Sequence, residues 1–533
     1  AMSGGSQGRN NVIGSLSSGL LSLFTLQLFS RFLTFGLNIV IARSVDKSSY
    51  GIGAVKLQLL YDTVLSLSRE GFRDACQRTS PSAWKDSKER AQILSVAWLA
   101  IPLSLLVGAA VLFASNVLDA SQRSEHESYH LIASMFVLAA AFEMLSEPLY
   151  ILAQNLFLIK LRARTEMLAL TVKVVLTAAM VMADPARPLR AFAAGQISYA
   201  LSIFGCLFAF FAMSREGVGL SETVGVVSGS LFFSSFSQLD LQLAGLAATM
   251  CMKSLQKYLM EKGETLILLG LFESQTWAMY GIVQNLGSLA VRLVFLPLEE
   301  MAQLAFSKLL SSKDFDEALE VFSVLSQLVV FIGLLVASFG QGYSFALVHI
   351  LYGVKWSSTD MPGILGWYSL YVMLLALNGV TEAFTHASAT PAQIRARGLR
   401  LVPVTGGYLL LASLLAPTLG VKALIIGNCV NMTMRIALSI AHAHSFFESS
   451  SGKIKFSGRM LLPGFSSSLT FVCCGAIALL SESLLLGRGA IRPHLLLVHI
   501  LVGVVLLILC GLVVRAREGA FLSKVRGMIR KGK

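Results

Sequence analysis

Charge is what this sequence has least of. Asp, Glu, Lys and Arg make up 14% of its 533 residues, whereas a soluble domain carries about a quarter. A chain so poor in charge does not read as a soluble globular protein. Period-2 alternation is also absent, which argues against a transmembrane barrel. The seven cysteines contain no C-x-x-C pair, and most of them (Cys206, Cys429, Cys473, Cys474, Cys510) fall in apolar stretches where cysteine behaves as a small hydrophobe. Neither a disulfide framework nor a metal site is expected. His442 and His444 are two apart, so a helix turns them to different faces. No G-x-x-x-x-G-K-[ST], G-x-S-x-G or H-E-x-x-H occurs, so no ATPase, hydrolase, catalytic residue or cofactor is expected.

Hydrophobic residues make up 55% of the chain, and the mean hydropathy is +0.70. A hydrocarbon core about 30 Å thick needs roughly 20 apolar residues per helix, with every backbone group satisfied internally. The expected fold is therefore an all-α polytopic membrane protein with about 14 transmembrane helices. They fall near 17–42, 50–68, 91–114, 129–152, 166–183, 190–213, 247–272, 277–306, 321–349, 362–387, 399–416, 420–446, 460–481 and 494–514. The polar start, residues 1–15, does not resemble a cleavable signal, and the first span is expected to act as its own insertion signal. The sequon Asn431-Met432-Thr433 falls inside a span, out of reach of the glycosylating enzyme.

Charge sets the expected orientation. The termini and the segments joining spans 2–3, 4–5, 6–7, 8–9, 10–11 and 12–13 hold more than about 25 Lys and Arg, against about 9 in the alternate loops. Both termini are expected on the cytosolic side. The net charge of +13 is then membrane-surface bias and gives no support to nucleic-acid binding. Anionic lipids would attract the tail from Arg515 to Lys533. Its last residues, Arg530-Lys531-Gly532-Lys533, resemble a dibasic endoplasmic-reticulum retrieval signal, or read simply as a polybasic tail.

The sequence also repeats. Tyr50-Gly51-Ile52 and Tyr280-Gly281-Ile282 open the second and eighth spans, about 230 residues apart. The same offset carries Glu70 onto Glu300 and Arg78 onto Lys308, and lays the first six spans over the seventh to twelfth. An offset of six helices keeps both halves in one orientation. The expected organisation is two pseudo-symmetric six-helix lobes around a central cavity plus two C-terminal helices: an N-lobe over 1–213, a cytosolic linker over 214–246, a C-lobe over 247–446, and helices 13–14 with a basic tail over 447–533.

Several spans carry polar stripes. Gln27, Arg31, Thr34 and Asn38 share one helical face, as do Gln58, Asp62, Ser66, Arg69 and Arg73. Their counterparts are Lys257, Glu261 and Glu264, then Ser288, Arg292, Glu299 and Gln303. Ionisable groups at bilayer depth cost a few kcal/mol or more unless they face protein or water, so these faces are expected to line an internal cavity. The sign reverses at matched positions: Arg31 to Glu261, Asp62 to Arg292, Arg69 to Glu299. One reading is a gate pairing Arg69 with Glu299 and Asp62 with Arg292. Another is pairing within a lobe, as in Arg31 with Asp62, which lowers the burial cost. Glu143 and Glu147, four apart and followed by Pro148, mark a kink; they read as structural packing or as a carboxylate pair carrying a coupling proton. Lys160 to Arg164 reads as a positive-inside loop or a headgroup site.

Ser30-Arg31-Phe32-Leu33-Thr34-Phe35 with Asn38 and Arg43, then Leu67-Ser68-Arg69-Glu70-Gly71-Phe72-Arg73-Asp74-Ala75-Cys76, resemble the N-terminal signature of the Rft family. The resemblance continues through Glu261-Lys262-Gly263-Glu264, Gln284-Asn285-Leu286-Gly287-Ser288-Leu289, Pro297-Leu298-Glu299-Glu300, Asn378-Gly379-Val380-Thr381-Glu382-Ala383-Phe384 and Asn431-Met432-Thr433-Met434-Arg435. It implies the multidrug/oligosaccharidyl-lipid/polysaccharide exporter superfamily. It further implies flipping of a dolichyl-pyrophosphate heptasaccharide (Man5GlcNAc2-PP-dolichol) from the cytosolic to the lumenal leaflet of the endoplasmic-reticulum membrane for protein N-glycosylation. A non-flipping binding or scaffold protein of that pathway and a cation-coupled exporter are the alternatives. The implied partners are the polyprenyl-pyrophosphate oligosaccharide lipid, membrane lipids and other N-glycosylation machinery. Arg31, Arg43, Arg69, Arg73, Lys160 and Arg435 are then the candidate substrate ligands. Asn38, Asp62, Lys257, Glu261, Glu264, Arg292, Glu299 and Glu382 are the candidate cavity and gating residues.

Overall fold

The computed structural model describes residues 31–80, 83–84, 86–118, 129–156, 158–213, 239–451, 456–486 and 492–531. Among them the only regular structure is helix. The chain divides into two compact units, Ala1–Thr265 and Leu266–Lys533. Among the described residues eleven helices are long and apolar enough to cross a membrane by length and composition, and they coincide with eleven of the expected spans. The other three expected spans, the first, second and seventh, are those carrying the stripes Arg31–Asn38, Gln58–Arg73 and Lys257–Glu264. They are helical where described, over 31–44, Leu57–Cys76 and Leu241–Leu271. The second and seventh are long enough and are set apart by their charge, whereas only 31–44 of the first is described.

In the first unit the main helices are α1 (31–44), α2 (Leu57–Cys76), α3 (Ala100–Leu118, preceded by the shorter helix Ser87–Trp98), α4 (Tyr129–Met144), α5 (Glu147–Asn155), α6 (Ile159–Ala183), α7 (Pro188–Met213) and most of α8 (Leu241–Leu271). A π-turn, Ile52–Lys56, leads into α2. The fourth span breaks into α4 and α5 where Pro148 occupies the first turn of α5; proline there has no N–H to leave unpaired.

The second unit continues with α9 (Ser274–Ala290), α10 (Leu296–Ser311), α11 (Phe315–Gly342), α12 (Met361–Ser388), α13 (Pro391–Leu419) and α14 (Lys422–Ser451), then α15 (Phe465–Leu485), α16 (Pro493–Arg517) and α17 (Gly519–Lys531). The π-turn Val291–Phe295 joins α9 to α10. Tyr129 and Met361, Ile159 and Pro391, and Pro188 and Lys422 open matching helices roughly 230 residues apart. The packing repeats as well. In unit one α4 packs on α2, α3 and α7, and α6 on α7; in unit two α12 packs on α10, α11 and α14, and α13 on α14. Outward faces are apolar, as along α16, where Leu501, Val505, Ile508 and Leu512 are exposed. This is a multi-pass membrane protein.

α8 is fastened to α2 by close approach. A Cβ on Gly71 would land on the Cys251 backbone, its Cα only 2.8 Å away, so the two helices cannot sit this near with any larger residue. Gly71→Ala is expected to lower stability by about 1–3 kcal/mol. Gly205→Ala, whose Cβ meets open space, is expected to be neutral or mildly stabilising. Thermal unfolding of the two purified variants checks the difference.

Candidate functional site

The block Arg69-Glu70-Gly71-Phe72-Arg73 is used at every position. Arg69 and Arg73 stand one turn apart on α2, and Glu143 and Glu147 one turn apart across the α4–α5 break, so the helices meet in register as a two-rung ladder. Arg69 Nη1 donates to Glu143 Oε1 at 2.9 Å, and the Tyr61 hydroxyl donates to the other oxygen. Arg73 grips Glu147 with both arms of its fork, Nε on Oε1 and Nη2 on Oε2 at 2.7 Å. Glu147 is 2% exposed, a depth at which an unpaired carboxylate would be very costly. Glu70 faces the other way and accepts from Lys257 Nζ at 3.1 Å. Gly71 meets α8, and Phe72 is buried.

A second polar network crosses the same unit. Lys262 Nζ on α8 donates to Asp62 Oδ2 at 2.7 Å, and Gln58 Nε2 donates to Asp62 Oδ1 at 2.8 Å. Lys173 on α6 donates to Gln58 Oε1 at 3.1 Å and also to Gln196 on α7. Four helices are joined through one chain of side chains, which answers how these polar groups are tolerated among apolar helices.

Beside the ladder lies a cavity of about 430 Å³ lined by Arg31, Ile159, Arg162, Ala163, Glu166, Met167, Leu170 and Tyr199. Tyr150 connects the two. Its ring has the Arg73 guanidinium 3.8 Å and the Arg162 guanidinium 4.2 Å from its centroid. Its hydroxyl donates to Glu166 Oε1 at 2.8 Å and accepts from Arg162. Arg31 and Arg162 bring two guanidiniums to the cavity and Glu166 one carboxylate, so its charged lining is net positive, and guanidinium forks match phosphate oxygens.

The second unit carries its own cluster. Glu382 on α12 accepts from Arg435 Nη2 at 2.9 and 2.8 Å on its two oxygens and from Asn378 Nδ2 at 2.9 Å. Arg397 stands 3.6 Å away and donates to Ser439 Oγ at 2.8 Å. Glu299 lies against Gly379, where a Cβ would come within 2.8 Å of its carboxylate. Arg397 and Arg400, with His442, also line a cavity of about 340 Å³.

A sequence model of the family described as Rft protein matches residues 15–527. The chain belongs to the Rft family. The Xenopus tropicalis protein named Man(5)GlcNAc(2)-PP-dolichol translocation protein RFT1 is 32% identical over 446 residues, 80% of this chain and 81% of that protein. The Mus musculus protein of the same name is 32% identical over 487 residues, 86% and 88% of the two chains. Among solved structures, the lipid II flippase MurJ in an inward-closed conformation aligns with a TM-score of 0.61 at 11% identity, covering 93% of this chain and 99% of its own. An inward-facing multidrug-resistance MATE transporter aligns at 0.58 and 12% identity, covering 80% and 96%. These two likenesses show that the chain shares the fold of MurJ and of that MATE transporter.

The positions expected for an Rft chain distribute unevenly. Arg31 reaches the cavity, and Arg69 and Arg73 build the ladder beside it. Lys160 is exposed at the start of α6, and its neighbour Arg162, one of the same basic run, turns inward instead. Arg43 is exposed near the end of α1, while Asn38 is half-buried on that helix. Asp62 is held by Lys262 and Gln58, and Arg69 by Glu143. Lys257 and Glu261 face solvent or lipid and lie 3.8 Å apart along α8; Glu264 is half-buried. Glu382 and Arg435 meet in unit two, with Glu299 half-buried nearby. Gln27 and the Arg292 side chain lie outside the described residues. Tyr61, Tyr150 and Tyr199 carry no signal in the sequence, whereas Arg397 belongs to the basic run Arg395-Ala396-Arg397 that matches Lys160–Arg164 in the repeat. The ladder itself had a signal there: two pairs of opposite sign, each spaced by four.

Breaking the lower rung tests the ladder. Arg73→Gln or Glu147→Gln alone is expected to lower stability by about 3–5 kcal/mol, whereas Arg73→Met with Glu147→Leu recovers most of that loss. Unfolding midpoints of the three variants check the expectation.

Proposed function

We propose that this chain carries a dolichyl-pyrophosphate oligosaccharide across the membrane, with Arg31 and Arg162 as ligands of the pyrophosphate and Tyr199 as a wall of the sugar site. The observation that supports this most is the cavity itself, where Arg31, Arg162 and Tyr199 are gathered. The Xenopus tropicalis and Mus musculus relatives are named for translocation of Man(5)GlcNAc(2)-PP-dolichol. A pyrophosphate with many sugar hydroxyls cannot enter hydrocarbon unaided, because each unsatisfied polar group costs several kcal/mol. Protein donors replace the lost water while the polyprenyl tail stays in lipid. Such a step makes and breaks no covalent bond, so the work belongs to binding groups and not to catalytic ones.

In this reading Arg69 and Arg73 hold the site's scaffold, because the fork of Arg73 is taken up by Glu147. Glu382 with Arg435 and Arg397 forms the matching polar cluster of the C-lobe. The lobes proposed are 1–213 and 247–446, with 214–246 as a cytosolic linker. The membrane is that of the endoplasmic reticulum, both termini are cytosolic, and further N-glycosylation components are partners.

Purified protein in vesicles supplies the test. Wild type is expected to accelerate transbilayer movement of the oligosaccharide lipid, and Arg31→Ala with Arg162→Ala to slow it about tenfold or more, for loss of charge-assisted bonds worth roughly 1.5–3 kcal/mol each. Lys160→Ala is expected to change little. Binding of the lipid by wild type without acceleration would favour the scaffold reading, and dependence on a proton or sodium gradient the cation-coupled one.

A further inference from the structure

The C-terminal helix α17 is held by three fixings, one at the start of α15 and two on α11. Glu518, just before it, accepts from Gly464 N at 2.8 Å and Ser467 Oγ at 2.7 Å at the start of α15. Phe521 is 7% exposed and packs on Phe331 with ring centroids 5.3 Å apart. Lys524 reaches Glu320 on α11 at 3.4 Å. The seam this leaves against α11 and α16 is not filled. It is a groove of about 440 Å³ walled by Leu328, Phe331, Leu335, Leu507, Val514 and Phe521. Arg515, in the last turn of α16, and Arg526, two turns into α17, also line it. Both guanidiniums are exposed, and among the described residues neither makes an ion pair.

We propose that this groove is a binding site for an anionic glycerophospholipid, one acyl chain lying along the apolar walls and the phosphate between Arg515 and Arg526. The charge pattern selects that occupant. An apolar wall alone would take any bilayer lipid, but two arginines without acidic partners at the end of an apolar trough match a headgroup with net negative charge. Lys524, the nearest lysine on the same helix, is already engaged by Glu320. The helix buries Phe521 and leaves Lys524 and Arg526 exposed, the amphipathic pattern of an interfacial helix. The bound lipid fills a seam that α17 otherwise leaves empty and clamps the tail onto α11 and α16.

Gly511 makes the test clean. It lines the groove, and a Cβ there would meet open space, so Gly511→Leu places an apolar side chain in the trough. Arg515→Gln with Arg526→Gln removes the charge and leaves the trough intact. The full-length protein would be purified in mild detergent from nanodiscs holding equal phosphatidylserine and phosphatidylcholine, and the retained lipid counted by native mass spectrometry. Wild type is expected to retain phosphatidylserine over phosphatidylcholine by roughly 30-fold, as two arginines near an anionic headgroup provide. Both variants are expected to lose that preference while keeping the wild-type unfolding midpoint. Equal retention of the two lipids by wild type would overturn the proposal, as would unchanged retention in Gly511→Leu, which would leave charge without a groove. Displacement by a polyprenyl phosphate, or by a second copy of the chain, would likewise overturn it.

Discussion

Arg69 and Arg73 can stay ionised on a membrane helix because Glu143 and Glu147 repeat at the same spacing on the helix they face. A lone charge in hydrocarbon is expensive, and a pair offsets that expense only when the geometry is good. Matching one turn of α2 to one turn across α4 and α5 supplies that geometry twice with a single alignment. The alignment then fixes what lies on the other sides of α2: Glu70 toward Lys257, Gly71 toward the backbone of α8, Asp62 toward Lys262. The rotation of one helix therefore settles the packing of three others, and the cavity lined by Arg31 and Arg162 sits beside that frame.

The second unit meets the same requirement with the signs redistributed. Its α10 carries Glu299 where α2 carries Arg69, and its α12 carries Glu382 in place of a helix-four carboxylate that waits for arginines from α2. The neutralising cations come instead from α13 and α14, as Arg397 and Arg435. Two copies of one helix order have thus diverged in charge while keeping the pairing of helices. Divergence of that kind is what a repeat needs if its halves are to do different things to one substrate.

Much of this was legible in the sequence, and for identifiable reasons. The three helices with polar stripes stood out because their ionisable residues fell at i, i+4 and i+7, a pattern that survives without knowing any neighbour. The break at Pro148 was legible from the missing N–H of proline. The cavity was less so. Which of Lys160, Arg162 and Arg164 turns inward depends on the phase of α6, and no side chain caps its start at Leu158 to mark that phase. Tyr150 and Tyr199 gave no sign at all, since an aromatic residue in an apolar helix looks the same whether it fills a core or faces a cavity.

Tyr150 has one further implication. Its ring lies against Arg73 of the ladder and its hydroxyl is shared by Arg162 and Glu166 of the cavity, so a single phenol belongs to both the frame and the pocket. The Arg162 guanidinium lies over the Tyr150 ring and donates to its hydroxyl, so a shift of Arg162 would change what holds the ring on which Arg73 rests. The lining of the pocket and the helix that meets α8 are thereby joined through one aromatic side chain.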